Sequence, residues 1–359
     1  MNFLVPVILI GVLLIISFLL ILAEKLIGSG GEKIIKLNDD KIIPVTGNNT
    51  VLNTLSEHKI FIPSACGGKA TCGLCKFKLI DGGEPKPTEL PFLSKQELKD
   101  GIRLSCQVKV SDNMKIEIPK ELLNAKEYKT KVIHIEDLTH DIKLVRFQLI
   151  EPNEMIFKPG QYAQLKVPGL DIIRAYSIAS HPKETSQIEL IIRQVPKGLA
   201  TTFVHKALEV GDKIILTGPY GDFYLQEESE REMICIAGGS GKAPIRSILY
   251  FLRDQGMPRK VRYFFGAVTK KDLYYTEEFK ELSKEFPNFE YIPALSAPDP
   301  NDDWDGEVGL ITEVVDRHTA DLTESEAYLC GSPGMIHACI KVLEKHKIRQ
   351  ENVFFDPFS

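Results

Sequence analysis

The chain has 359 residues, 43% apolar and 26% charged, with 44 basic and 49 acidic side chains and a net charge of −5. That balance excludes a disordered or collagen-like chain and a small disulfide scaffold, and it offers no electrostatic ground for binding nucleic acid. The length suits roughly two or three domains.

The charges are unevenly placed. None lies in Met1–Ala23, and from Phe3 onward only Pro6, Gly11 and Ser17 interrupt the apolar run. As a helix, the 21 residues from Phe3 to Ala23 would rise about 31 Å, enough to cross a hydrocarbon core. A cleaved signal peptide is the alternative. The missing basic n-region and the length of the run favour a retained anchor in residues 1–23. Lys25, Lys33, Lys36 and Lys41 follow the run, which places the body in the cytoplasm as a single-pass protein of the inner (cell) membrane. Ile27–Gly31 reads as a flexible tether. The span has no ionisable side chain to line an ion path, so any ion movement is expected in partners.

Next come short strand-like runs in Lys33–Val45 and Phe77–Ile80, with helices predicted at Val51–Glu57 and Lys95–Asp100. Among them stand four cysteines, Cys66, Cys72, Cys75 and Cys106, spaced C-x5-C-x2-C-x30-C. Three thiolates from one loop plus one distant thiolate is close to the way plant-like ferredoxins hold a [2Fe-2S] cluster, with one extra loop residue here. Gly67, Gly68 and Gly73 allow the backbone to wrap closely. A structural zinc site is the alternative, but zinc sites more often use two C-x2-C-like pairs, and Cys106 stands alone. The mixed strand-and-helix pattern resembles the β-grasp (α+β) fold of ferredoxins and is expected to end near Pro119. Cys235 and Cys339 read as core residues, and the histidines show no metal-ligand spacing.

Glu121–Glu127 reads as a polar helical linker. Strand-like runs follow at Lys131–Ile135, Lys143–Leu149, Gln161–Val167, Ile188–Gln194 and Lys213–Thr217, a pattern of short strands that predicts an antiparallel barrel. After Glu232, strands and helices alternate. Met233–Ala237 leads through Gly238-Gly239-Ser240-Gly241-Lys242-Ala243-Pro244 into a helix over Ile245–Gln255. Val261–Ala267, Thr276–Glu285, Glu290–Leu295 and Ala327–Cys330 continue as strand, helix, strand and strand. This predicts an α/β Rossmann-like domain with a parallel sheet. Glycines between a strand and a helix suit a dinucleotide pyrophosphate, although Pro244 replaces the third glycine of the usual fingerprint.

Arg174-Ala175-Tyr176-Ser177 resembles the R-x-Y-S flavin motif of the ferredoxin–NADP reductase superfamily. Gly239-x-Gly241-x-x-Pro244 and Cys330-Gly331-Ser332-Pro333-Gly334-Met335 resemble its nicotinamide motifs. The order of anchor, ferredoxin, flavin barrel and NAD domain is similar to the F subunit of the sodium-translocating NADH:quinone reductase over nearly the whole chain. The resemblance implies FAD, a [2Fe-2S] cluster held by the four cysteines, and NADH. Electrons would pass in the order NADH, FAD, cluster, and then to a membrane quinone or a redox partner subunit. It also implies divisions at 1–31 (anchor and tether), 32–120 (cluster), 121–229 (FAD) and 230–359 (NAD).

Residue by residue, it implies Arg174 on the FAD pyrophosphate, Tyr176 against the isoalloxazine and Ser177 near N5. Gly198, Thr201 and Thr202 would form a second phosphate segment. Gly238, Gly239, Gly241, Pro244 and Gly331 would hold the dinucleotide, with Cys330 close to the nicotinamide and Phe358 covering the flavin. Ser177, Cys330 and Phe358 are thus the residues expected at the reacting centre.

Two departures fall in the flavin domain. Only Pro168–Ile173 separates the preceding strand from Arg174, where the family carries an insertion, and Val195-Pro196-Lys197 replaces a Pro-rich stretch. Where an acidic residue often selects NAD, the second nucleotide-domain strand runs into Ala267-Val268-Thr269-Lys270-Lys271, whose lysines could meet a 2′-phosphate. The residues therefore leave NADH and NADPH open, and the resemblance implies NADH. The same domain set also occurs in reductase components of oxygenases, the alternative function.

Overall fold

The computed structural model describes residues 10–19, 33–45, 47–81 and 83–358. Residues 10–19 are helical and, apart from Gly11, exposed. Among the described residues no helix is long and apolar enough to cross a membrane. The rest of the expected anchor and tether, residues 1–9 and 20–31, lies outside the described residues. The chain divides into two compact units. One runs through His58 and includes Cys75–Pro119; the other joins Lys59–Leu74 to Lys120–Ser359.

The first unit is a five-stranded mixed sheet. β1 (Lys33–Leu37) and β2 (Lys41–Val45) form a hairpin, followed by α1 (Val51–Glu57), β3 (Lys76–Leu79), α2 (Lys95–Lys99), β4 (Ile102–Leu104) and β5 (Met114–Glu117). The strand order is β2-β1-β5-β3-β4, with β1 and β5 parallel. α1 starts where Thr50 accepts the Asn53 N–H, an N-cap of the usual kind. Its Val51 and Leu55 are buried, as are Ile35, Ile43 and Phe77 of the sheet. The buried Glu89 carboxylate holds the Arg103 guanidinium at 2.6 Å and accepts the Leu104 N–H at 2.8 Å. This pins the strand that leads to Cys106.

In the second unit the barrel consists of β6 (Lys126–Asp137), β7 (Ile142–Glu151), β8 (Tyr162–Lys166), β9 (Ile173–Ser177), β10 (Gln187–Arg193), α3 (Leu199–Lys206) and β11 (Lys213–Tyr220). The strands run antiparallel in the order β10-β7-β6-β11-β8-β9. Ile178, just past β9, bridges back to Leu190 of β10 and closes the sheet. The expected helical linker is only a short 3-10 turn at Lys120–Asn124, and the strand already begins at Lys126. The physical reason is alternation: Tyr128, Thr130 and Val132 are buried while their neighbours face out, a period-2 pattern that overrides the polar composition.

The same unit continues with β12 (Glu232–Gly238), α4 (Lys242–Asp254), β13 (Val261–Ala267), α5 (Thr276–Glu285), β14 (Phe289–Leu295), β15 (Glu307–Val308), α6 (Ile311–His318), β16 (Ser325–Gly331), α7 (Pro333–Lys345) and β17 (Val353–Pro357). All six strands are parallel, in the order β15-β14-β13-β12-β16-β17. The order reverses between β12 and β16. In open α/β sheets, ligands bind outside the carboxyl ends of the strands at such a switch point. Cys235 and Cys339 are fully buried, as expected of core residues.

Candidate functional site

The switch point brings the glycine segments together. A Cβ on Gly241 would lie 2.3 Å from the Cys330 carbonyl oxygen, so only glycine lets the loop after β12 reach the end of β16. Gly239 takes a left-handed φ of 56°, and its carbonyl accepts the Tyr274 hydroxyl at 2.7 Å. Pro244 occupies the first turn of α4, where no backbone donor is needed. Across the crevice, Ser332 caps α7 by accepting the Met335 N–H.

The C-terminal strand completes this edge. β17 pairs in parallel with β16, setting Asp356 beside Cys330 and Pro357 beside Gly331, and the Phe358 N–H donates to the Gly331 carbonyl at 2.8 Å. From the barrel, the Ser177 hydroxyl donates to Asp356 Oδ2 at 3.3 Å. Ser177, Cys330 and Phe358 are therefore gathered around Asp356, a residue to which the sequence reading gave no role. Burial pushes the Asp356 carboxyl up to about 6, against the opposing pull of the Ser177 hydrogen bond. Burial also raises the Cys330 thiol well above its ordinary range, which makes it a wall rather than a nucleophile.

On β9, the Arg174 Nη1 donates to the Ala65 carbonyl at 2.9 Å and to its own Ile173 carbonyl at 2.7 Å. Tyr176 packs against the barrel core, and its hydroxyl is buried with no hydrogen-bond partner among the described residues. Burial pushes this phenol up to about 12. An orphaned buried hydroxyl next to an arginine fits a flavin site, since a bound group's polar atoms would satisfy it. At the start of α3, Gly198 leaves no room for a Cβ, which would lie 2.7 Å from Thr201 Oγ1. The Thr201 hydroxyl accepts the Val195 N–H at 3.1 Å. Thr201 thus shapes the turn from inside, and the Thr202 N–H bonds the Gly198 carbonyl. No side chain caps this helix start, which leaves it open to an anionic group.

The cluster loop belongs to the same unit as the barrel. Its Cys66 and Cys72 sulfurs lie 3.4 Å apart. A tetrahedral metal with bonds of about 2.3 Å spaces its thiolates by about 3.7 Å, so the pair suits shared metal ligation. Burial opposes ionisation of Cys66, but hydrogen bonds from the Thr71 N–H, the Cys72 thiol and the Lys69 N–H outweigh it and bring the thiol down to about 7. In the other unit, a hydrogen bond with Cys106, followed by burial, raises the Cys75 thiol. There the Gln107 Nε2 approaches the Cys106 sulfur at 3.5 Å. Among the described residues, no three His, Cys, Asp or Glu side chains are gathered as a metal-holding group.

Two supports escaped the sequence reading. Lys242 is fully buried; its amine donates to the Tyr274 carbonyl at 2.6 Å and lies 3.7 Å from the centre of the Phe265 ring. Burial pushes this amine well below its ordinary value. Arg246 donates to Glu189 of the barrel at 2.7 Å between the rings of Tyr250 and Tyr275, tying α4 to β10. A lysine inside the glycine segment and an arginine in the middle of the apolar face of the helix are the available signals.

Three family models match in chain order: a 2Fe-2S iron-sulfur cluster binding domain over 35–111, an oxidoreductase FAD-binding domain over 129–224 and an oxidoreductase NAD-binding domain over 235–341. The chain is accordingly an oxidoreductase that uses NADH, FAD and a [2Fe-2S] cluster. Among solved structures, it is similar to the Amycolatopsis cytochrome P450 reductase GcoB, with a TM-score of 0.75 and 26% identity over 91% of this chain and 98% of that one. The ferredoxin reductase in carbazole 1,9a-dioxygenase shares the fold at a TM-score of 0.69 and 24% identity, over 92% of this chain and 99% of that one. The F subunit of the Na(+)-translocating NADH-quinone reductase of Neisseria gonorrhoeae is 33% identical over 395 residues, covering 97% of both chains. The F subunit of the Histophilus somni reductase is 35% identical over 397 residues with the same coverage. On this full-length similarity, the chain belongs to the family formed by the F subunits of Na(+)-translocating NADH-quinone reductases.

Proposed function

We propose that the chain delivers electrons from NADH to a quinone or a redox subunit in the membrane, with residues 1–23 as its anchor and the body in the cytoplasm. The observation that carries this reading is the meeting of Ser177, Asp356, Gly331 and Phe358 at the switch point, in one compact unit with the Cys66–Cys72 loop. Residues 1–31 would form anchor and tether, 32–120 the cluster domain, 121–229 the flavin domain and 230–359 the nucleotide domain.

Arg174, Tyr176, Ser177, Gly198, Thr202 and Phe358 would hold FAD, with Thr201 shaping the turn. Gly238, Gly239, Gly241, Pro244 and Gly331 would hold the dinucleotide. Cys66, Cys72, Cys75 and Cys106 would ligate the cluster. When bound, these groups supply a two-electron donor, a flavin that converts pairs to single electrons, and a one-electron carrier. The chain's own part is placement. Phe358, fixed through its backbone at Gly331, would shield the flavin and yield to nicotinamide. Ser177 presents a hydroxyl at the flavin edge, and Asp356 orients that hydroxyl. Cys330 contributes a dry wall.

An anaerobic NADH titration of the purified full chain tests the reading. Flavin and cluster absorbance bleach together in the expected result; a flavin that bleaches while the cluster stays oxidised, or a colourless protein, overturns it. Deleting residues 1–31 should release the protein from membranes with NADH oxidation intact, and continued sedimentation with membranes would refute the anchor. The likeness to the P450 reductase keeps an oxygenase partner as the second reading. Electron transfer to hydroxylase subunits rather than quinone would favour it.

A further inference from the structure

The β8–β9 hairpin carries the cluster loop on its side chains. Gln164 of β8 is 3% exposed, and its Oε1 accepts the Ser64 N–H at 3.3 Å. Arg174 of β9 holds the next carbonyl, that of Ala65. A Cβ on Gly67 would lie 3.5 Å from the Asp171 carbonyl in the hairpin turn. Three successive contacts thus seat residues 64–67, including Cys66, on the flavin barrel. The loop folds around the same point, because the Ser64 hydroxyl accepts the Gly68 N–H at 3.1 Å.

One group in this seat lacks a partner. The Gln164 Nε2 is fully buried and has no hydrogen-bond acceptor among the described residues. An amide left unpaired in the interior forfeits its hydration without compensation, so buried donors are normally satisfied. Its oxygen is committed to the Ser64 N–H, two positions before Cys66, so the orphaned donor belongs to the same amide that seats the cysteine loop. The acceptors a [2Fe-2S] group adds to that loop are its sulfurs. The first unit offers the parallel arrangement, a glutamine amide (Gln107) directed at the Cys106 sulfur.

We propose that Gln164, a residue of the flavin barrel rather than of the ferredoxin segment, donates a hydrogen bond to the sulfur shell of the cluster and sets its reduction potential from the flavin side. The proposal rests on the four-cysteine cluster assigned above. Reduction adds negative charge to the sulfurs, and an N–H donor stabilises the reduced form more than the oxidised one. Removing the donor therefore moves the potential to more negative values. At one hydrogen bond to a charged acceptor, the oxidised-to-reduced ratio at fixed ambient potential changes by about tenfold, equivalent to about 59 mV for one electron.

The test is a redox titration of the full-chain holoprotein, following the EPR signal of the reduced cluster in wild type, Gln164→Leu and Gln164→Glu. Leu removes the donor without adding charge; Glu keeps the acceptor for Ser64 but replaces the amide with a carboxylate, so Leu is the variant that reads the donor alone. In both variants the oxidised-to-reduced ratio at fixed potential is expected to rise about tenfold, with iron and sulfide content unchanged. A potential equal to wild type in both overturns the proposal. Absence of a [2Fe-2S] signal in the wild type would instead overturn the cluster assignment. Should the Gln164 variants fail to load iron, pulsed EPR of Gln107→Leu protein labelled with 15N-glutamine decides. A residual glutamine nitrogen coupling supports Gln164 as the donor, and its absence refutes it.

Discussion

The nucleotide crevice and the cluster loop are built by different means. At the crevice, backbone makes the site: two strand ends meet at a reversal of sheet order, and Gly241 touches the Cys330 carbonyl so closely that a methyl has no room. At the loop, side chains make the seat, because Gln164 and Arg174 reach out of a barrel hairpin to hold Ser64 and Ala65. A backbone-built site tolerates little change but needs few special side chains. A site held by side chains can be retuned one residue at a time.

Removing a thiolate separates the two most sharply. Cys66→Ser or Cys72→Ser is expected to abolish the cluster signal and electron transfer to any one-electron acceptor, while NADH still bleaches the flavin. A stopped-flow record showing that flavin reduction fails as well would mean that crevice and loop are not independent.

Gly241→Ala probes the backbone-built side. The added methyl must displace the end of β16, an overpacking cost of about 3 kcal/mol. Chemical denaturation should show that loss together with a raised KM for NADH and an unchanged cluster potential. Wild-type stability would break the claim that backbone contact builds this site.

How much of this was legible in sequence follows the same division. The cysteine spacing, the glycine segment and the R-x-Y-S string mark local chemistry and could be read directly. The nucleotide-domain strands were legible because they are continuous apolar runs, as in Met233–Ala237. Only the first two residues of the strand that starts at Lys126 read as linker, because Lys126 and Glu127 are both charged and both exposed; from Tyr128 onward the strand pattern is legible. Asp356 stands in the C-terminal Asp356-Pro357-Phe358 string that resembles the family but carries no role there, and Gln164 gives no signal. Their importance comes from partners 179 and 100 residues away in sequence, Ser177 and Ser64, and no local pattern encodes such pairings.

Asp356→Asn addresses that hidden part of the crevice. The wild-type carboxyl is raised from 3.8 to about 6 in the folded chain. Above pH 6 it is ionised in both folded and unfolded states, and the folded state bears the cost of a buried charge. Below about pH 4 it is protonated in both, and the cost is gone. A shift of that size corresponds to about 3 kcal/mol. The asparagine side chain keeps an acceptor for Ser177 without the charge, so the variant should be more stable than wild type by up to this amount at pH 8. The gain should shrink as pH falls from 6 and vanish near pH 4. Thermal melts of the flavin-free full chain across that range check it, and a gain that does not depend on pH would disprove the linkage.

The smallest effect is expected at Gln107. Its amide approaches the Cys106 sulfur at 3.5 Å, and it is partly exposed rather than buried, so water can replace it when it is removed. Gln107→Leu should therefore lower the cluster potential by less than Gln164→Leu does, with a change of about twofold in the oxidised-to-reduced ratio at fixed potential against about tenfold. The ordering of the two variants matters more than either size. If Gln107→Leu gives the larger shift, the ferredoxin segment governs its own potential and the barrel serves only as a support for the loop. If Gln164→Leu does, the reduction potential of the cluster depends on the docking of its loop on the flavin domain.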